Sequence, residues 1–282
     1  MAQAAAVLAA TKTIVVGIGI LPAGARNAAF AAMELATLAQ LFPGRIIAGL
    51  GHGMPGWMRQ AGAWPSSPLG LLEEFTHAVR ALLSGVPGPA AGRFVNVAGV
   101  VLKELPDAVP PIVLGVRGPK SLALTGKIAD GVVLAEPATP RYVADSLANC
   151  ADGADLSEGG LADDFQVITY DVAAVHDDPA VAIAAARRNL GTFGEPDWAP
   201  HIVGQPFALD LVDLRQRCAS PQEFATLMPA QWVSALTLAG SVDQVKEKLA
   251  ARHAAGTTTA VLIPIGEDRL GEIEQLARVL SA

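Results

Sequence analysis

The sequence predicts an α/β fold built on a parallel sheet, and three observations predict it. Short apolar, β-branched runs recur along the chain at Thr13–Ile20, Arg45–Leu50, Ile112–Val116, Val132–Leu134, Gln166–Val175 and Thr259–Ile265. Helix-like stretches separate them, and strands alternating with helices make a parallel sheet with helical crossovers. The stretch Pro110–Leu134, PPIVLGVRGPKSLALTGKIADGVVL, reads as a complete strand–turn–helix–strand unit. No short-period repeat competes with this reading.

Ala2–Ala10 reads as helix, and Thr13–Ile20 as a buried strand carrying two glycines. Glycine inside a strand marks a bulge or a close approach. Arg26–Leu41 is expected to be a helix that buries Phe30, Met33, Leu35, Leu38 and Leu41, ended by Pro43-Gly44. Arg45–Leu50 follows as strand and runs into GLGHG (Gly49–Gly53). Trp57–Pro68 reads as loop, Leu69–Leu83 as amphipathic helix, and Gly92–Leu105 alternates like a hairpin. Ile112–Val116 is the apolar run of a buried parallel strand. Gly115 and Gly118 bracket Arg117, and Pro119 suits the first helical position, where its missing N–H is no loss. Beyond Leu134 come helix Arg141–Cys150, a polar loop, strand Gln166–Val175 and helix Pro179–Leu190. Gly191–Pro229 is irregular, with short helices expected at Leu209–Arg217 and Pro221–Leu227. Ser241 with Gln244 is a capping-box pattern opening the helix to Ala255. Thr259–Ile265 is the last strand and Asp268–Leu280 the last helix.

Of 282 residues, 51% are hydrophobic but only 5% aromatic, so the core must be mainly Ala, Val, Leu and Ile. The formal charge of −7 argues against a nucleic-acid partner, which demands a basic face. Cys150 and Cys218 lie far apart without metal-ligand spacing, so no metal site is expected and a reduced, cytoplasmic protein is. The apolar N-terminus lacks the basic flank of a signal peptide. No uncharged apolar run approaches ~20 residues, so no membrane span is expected.

The glycine turn Gly115–Pro119 leaves backbone N–H groups at a helix N-terminus, where anions bind. Arg117 and Lys120 stand beside it. The alternative is a crossover that uses glycine only to turn. His52, between Gly51 and Gly53 at a strand end, can donate a hydrogen bond or a proton; the alternative is a loop histidine.

Four segments in order, TIVVGIGILPAGARN, GRIIAGLGHG, the Pro110–Leu134 unit and AGSVDQVKEKLAARHAAGTTTAVLIPIG, resemble the luciferase-like flavin- and deazaflavin-dependent oxidoreductases. The GVRGP turn is more similar to the coenzyme F420 branch, such as methylenetetrahydromethanopterin reductase, than to the FMN monooxygenases. The resemblance implies a single TIM-barrel domain over 1–282, with 191–239 as an inserted region before the last strand. It implies hydride transfer from reduced F420 to a small organic substrate. FMN-dependent monooxygenation is the alternative, and a shortened, non-catalytic relative that binds a cofactor or partner is a third. It implies a non-proline cis peptide at Gly19-Ile20 behind the cofactor ring, against an ordinary trans bulge. Cofactor contacts fall to Gly19, Ile20, Gly51, Gly115, Val116, Arg117, Gly118 and Pro119, and catalysis to His52 and Arg26. Glu136 is expected at the same mouth, because all strand C-termini of a barrel share one face. Trp57, Trp64 and Trp198 are candidates for the substrate pocket.

One departure matters. Thr13–Ile20 resembles the family's third barrel strand, so the first two strands have no counterpart. Strand number, tilt and stagger are linked, and six strands cannot close as eight do. The expectation is a barrel open at the N-terminal side, with bare edges that favour a homodimer or a partner subunit.

Overall fold

The computed structural model describes residues 1–89, 92–155 and 160–280. They form two compact units, one of residues 1–133 and 149–166, the other of residues 134–148 and 167–282.

In the first unit, helix α1 (Ala2–Ala10) precedes two short strands, β1 (Val16–Gly17) and β2 (Leu21–Pro22). Then come α2 (Ala28–Leu41), β3 (Ile46–Gly51), α3 (Pro55–Gln60), α4 (Pro68–Leu83), β4 (Ile112–Gly115), α5 (Pro119–Ile128) and β5 (Gly131–Leu134), whose last residue lies in the second unit. The pairing is parallel throughout: β1 and β2 on β3, β3 on β4, β4 on β5. Among the described residues of this unit, β1 and β2 pair with β3 alone. Pro22, Gly51, Gly115 and Val133 stand in one row at the C-terminal ends. Arg45 pins the N-terminal segment: its guanidinium donates to the carbonyls of Leu8, Thr11 and Ile14 and to the Thr11 hydroxyl, at 2.7–3.2 Å. Asn27 and Ser67 cap α2 and α4, and Pro68 and Pro119 begin α4 and α5.

The second unit opens with helix α6 (Pro140–Asp155), whose residues from Asn149 on belong to the first unit, and strand β6 (Gln166–Val175), whose first residue does too. Helix α7 (Pro179–Arg187) leads to α8 (Ala199–Ile202), α9 (Ala208–Arg217), α10 (Pro221–Leu227) and α11 (Ala230–Leu236). Strand β7 (Leu238–Gly240), helix α12 (Val242–Ala254), strand β8 (Thr259–Pro264) and helix α13 (Arg269–Ala277) complete the chain. Both β7 and β8 run parallel to β6. The helices of the inserted region bury Phe193, Ile202, Leu211, Phe224 and Met228 against α7 and β6. Ser241 and Gln244 form the expected capping box. Beneath α12, Arg252 Nε donates to Asp171 Oδ1 at 2.7 Å, both side chains fully buried, and Thr169 Oγ1 donates to Asp171 Oδ2.

Four expectations are corrected. Thr13–Ile20 is not one strand: only Val16–Gly17 pairs, and Leu21–Pro22 pairs separately after a break. Phe30, Met33 and Leu41 are 65%, 50% and 64% exposed. The inner stripe of α2 is instead Ala28, Ala31, Ala32, Leu35, Ala36, Leu38 and Ala39. Small residues at helical spacing let α2 approach α4 closely, and that outweighed residue size. Gly92–Leu105 forms no strand. The N–H groups of Arg93, Phe94 and Val95 donate to the Glu74 carboxylate at 2.8–3.0 Å, so no partner strand receives them. Its alternation reflects burial of Val95 and Val97 alone. Finally, Trp57–Pro68 contains part of α3, and β7 was not foreseen because three residues carry too little pattern.

Candidate cofactor site

The site begins where the strands of the first unit end. Between β1 and β2 the chain turns at Gly19-Ile20, and this peptide bond is cis, as the resemblance implies. The Ile20 side chain then lies across three glycines. A Cβ on Gly115 would sit 2.7 Å from Ile20 Cγ2, one on Gly51 3.0 Å from Ile20 Cδ1, and one on Gly49 3.2 Å from Ile20 Cγ2. Only the Gly115 contact is closer than real Cβ atoms come; at Gly49 and Gly51 a Cβ would first meet backbone, the Ile18 carbonyl oxygen at 1.9 Å and the Gly115 carbonyl oxygen at 2.6 Å, so glycine at these positions lets β3 pack against the Ile18–Ile20 turn and β4. Gly19 is exposed and Ile20 half-buried, so the turn presents an apolar shelf at the sheet's C-terminal end.

Beside it the backbone leaves β4 through Val116, Arg117 and Gly118 into α5. Val116 is buried. Arg117 is half-buried, and its Nη2 reaches Met54 Sδ at 3.5 Å. Gly118 is the N-cap and Pro119 the first residue of α5, a ten-residue helix. Helical geometry leaves the Lys120 and Ser121 N–H groups without partners inside the helix. A methyl at Gly118 would meet nothing within 4 Å, so the outer side of the turn is open.

His52 follows β3 and joins the turn. Its Nε2 lies 3.1 Å from Ser121 Oγ in the first turn of α5. Burial lowers its pKa, and the Pro68 carbonyl beside the ring opposes that shift without reversing it. His52 is therefore neutral at neutral pH.

Arg26 goes elsewhere. Its guanidinium pairs with Glu34 of α2, and it lines a cavity of about 350 Å³ together with Trp64 and Phe94. Trp57 is 72% exposed and faces solvent. In the second unit, Trp198 Nε1 donates to the Glu136 carbonyl at 3.1 Å, and the Glu136-Pro137 bond is cis. The structure thus gathers Ile20, Gly51 and Gly115 into one contact cluster, with Gly19 joined to it through the cis bond, brings His52 to the start of α5, and places Arg26 and Trp64 together in the lining of a cavity. The glycines under Ile20 were predicted singly. Gly49 was not singled out, although GLGHG carries it, because nothing in the sequence says which side chain covers it.

Comparison with known proteins decides the relationship. Residues 1–259 match the sequence profile described as luciferase-like monooxygenase. The chain belongs to the luciferase-like monooxygenase family. A 5,10-methylenetetrahydromethanopterin reductase from Methanolobus tindarius is 29% identical over 177 residues, which is 63% of this chain and 53% of that protein. The chain thus matches about half the length of that relative. The structure of the coenzyme F420-dependent tetrahydromethanopterin reductase from Methanopyrus kandleri superposes with a TM-score of 0.80 at 23% identity, covering 95% of this chain and 83% of that one. The oxygenating constituent of 3,6-diketocamphane monooxygenase from Pseudomonas putida, in complex with FMN, superposes at 0.72 with 16% identity, covering 99% and 82%. These two likenesses establish the luciferase-like α/β fold. Family and relative are enzymes by name, and the chain is assigned as an enzyme. Among the described residues no helix is long and apolar enough to cross a membrane, and no cluster could hold a metal.

Proposed function

We propose that this chain is an oxidoreductase that transfers hydride from reduced coenzyme F420 to a small organic substrate. The observation that carries the reading is the Ile20 shelf beside the α5 N-terminus. A flat apolar ring fits a half-buried isoleucine held on three glycines, and an anionic tail fits an open N-terminal turn flanked by Arg117 and Lys120. When bound, the deazaflavin supplies the hydride chemistry; the protein supports, orients and excludes water. Gly19, Ile20, Gly51 and Gly115 would back the ring, and Val116, Arg117, Gly118 and Pro119 would hold the tail. His52 and Ser121 form a hydrogen-bonded pair at the rim, and His52 Nε2 is the atom placed to hold or relay a proton.

Gly118→Asp tests the tail site cleanly. Aspartate is as good an N-cap as glycine or better, and its Cβ meets nothing, so the fold is expected to persist. Its carboxylate would oppose an anion at the turn. The expected result is an unchanged melting temperature with F420 affinity reduced at least tenfold. Unchanged affinity would remove the turn from the site.

A second reading, FMN-dependent monooxygenation, draws support from the family name and the FMN-bound neighbour. We also propose that the protein is cytoplasmic and works as a homodimer or with a partner subunit. The support for the assembly is that, among the described residues of their unit, β1 and β2 pair with β3 alone, while Ile14 and Val15 are 52% and 50% exposed. Sedimentation as a monomer that binds cofactor tightly would overturn the assembly.

A further inference from the structure

The cavity that receives Arg26 takes no part in the cofactor reading. It has a volume of about 350 Å³, enough for a single-ring molecule and at the small end of ligand pockets. Arg26, Asn27 and Asn96 are in its lining, as are Trp64, Phe75 and Phe94.

The cavity is built, not left over. A Cβ on Gly24 would lie 2.3 Å from the Ala63 carbonyl, so glycine there lets the 62–65 wall close in. A Cβ on Gly70 would lie 2.9 Å from Phe94 Cε2, so glycine in α4 admits the aromatic wall. The third wall is fixed by Glu74, which accepts from Arg93, Phe94 and Val95. A Cβ on Gly92 would overlap that carboxylate, at 2.3 Å from Oε2.

The chemistry inside is one-sided. Asn27 Oδ1 accepts from Ala29 N, and Asn96 Oδ1 accepts from Ala98 N, so each amide has its NH₂ group left to offer a ligand. Arg26 reaches Glu34 through Nη1, and the rest of its five-donor fork remains. The lining holds one cation and no carboxylate, because Glu34 is not part of it and Glu74 is spent on the 93–95 backbone. A guanidinium and two amide NH₂ groups in a lining shared with aromatic rings suit an anionic acceptor joined to an apolar body. Arginine also matches a carboxylate in two-pronged geometry.

We propose that this cavity binds a small organic carboxylate, its charged end at Arg26 and the Asn96 amide, its apolar body against Trp64, Phe75 and Phe94. The site requires no bound cofactor, so it stands or falls apart from the F420 reading.

Benzoate is the probe, titrated into the full chain without cofactor and followed by ligand-observed NMR and tryptophan fluorescence, with Trp64→Phe assigning the signal. Saturable binding is expected, with Trp64→Phe abolishing the fluorescence change. Benzyl alcohol, the same shape without charge, is expected to bind at least tenfold more weakly. Arg26→Ala and Asn96→Asp are expected to weaken benzoate at least tenfold, and Arg26→Lys less than Arg26→Ala. No saturable binding, equal affinity for the alcohol, or a benzoate site indifferent to Arg26→Ala would each overturn the proposal. The comparison of the two probes on the unaltered chain decides the matter even where a variant fails to fold.

Discussion

Gly115→Ala strains the candidate cofactor site at a single contact. The new Cβ would lie 2.7 Å from Ile20 Cγ2, 3.5 Å from Cγ1 and 3.7 Å from Cβ. Ordinary carbon contacts fall near ~3.5–4.0 Å, so Cγ2 must withdraw by about 1 Å while the other atoms are already acceptable. Isoleucine is stiff at χ1, and a rotation of ~30° off its rotamer costs about 0.5–1.5 kcal/mol. Added to small backbone shifts, overpacking of this kind costs about 1–3 kcal/mol. At roughly 2–4 °C per kcal/mol for a chain of this size, the melting temperature should fall by several degrees. Ile20→Ala removes the colliding atoms, so the double variant should recover part of the loss, with a coupling of about 0.5–3 kcal/mol. Cofactor affinity behaves differently. Gly115→Ala moves the shelf and Ile20→Ala removes it, so both single variants and the double should bind F420 on the order of tenfold more weakly, equivalent to ~1.4 kcal/mol. Thermal denaturation and F420 titration of the four proteins read both effects. Additive melting shifts would refute the contact, and unchanged affinity in all variants would refute the shelf.

Other perturbations probe the supports. Arg252→Ala leaves the Asp171 carboxylate buried without its guanidinium partner, and denaturant unfolding should show a loss of about 3–5 kcal/mol. Burial raises the Asp171 pKa and Arg252 opposes the rise, so a loss below about 1 kcal/mol would mean that no buried charge is left uncompensated in the variant. Glu74 has its pKa lowered, first by the Phe94 N–H and then by those of Val95 and Arg93. Its stabilising effect is therefore full above the ordinary carboxylate range and lost as pH falls through the lower folded value. Glu74→Gln should flatten that acid limb, read by hydrogen exchange at Phe94 and Val95. His52 also has a lowered pKa, so the unfolded chain binds its proton first and stability declines as pH falls below the ordinary histidine value. His52→Ala should remove that decline and reduce turnover by roughly 100-fold; near-normal turnover would leave it a fixture of the α5 start.

The strands and helices around the site were legible because each carries its own signal. Ile112–Gly115 is β-branched and apolar, Pro119 opens its helix, and Ser241 with Gln244 caps another. The cis bond at Gly19-Ile20 was legible only through resemblance. What stayed hidden depends on distant partners. Glu74 silenced the 92–105 strand pattern by taking its N–H groups from a helix about 20 residues away. Phe30 and Met33 looked like core by size, but close approach of α2 to α4 favoured the alanine side. Arg26 is named for catalysis through resemblance alone, and neither its pairing with Glu34 nor its place in a cavity lining with Trp64 and Phe94 can be read from spacing in the sequence.

The central claim is that the Ile20 shelf and the α5 turn hold a deazaflavin, and titration of the unaltered chain with F420 and with FMN in one buffer tests it most directly. The account predicts saturable F420 binding at least tenfold tighter than FMN. Tighter FMN binding would move the chain to the monooxygenase reading, and binding of neither would contradict the cofactor site itself.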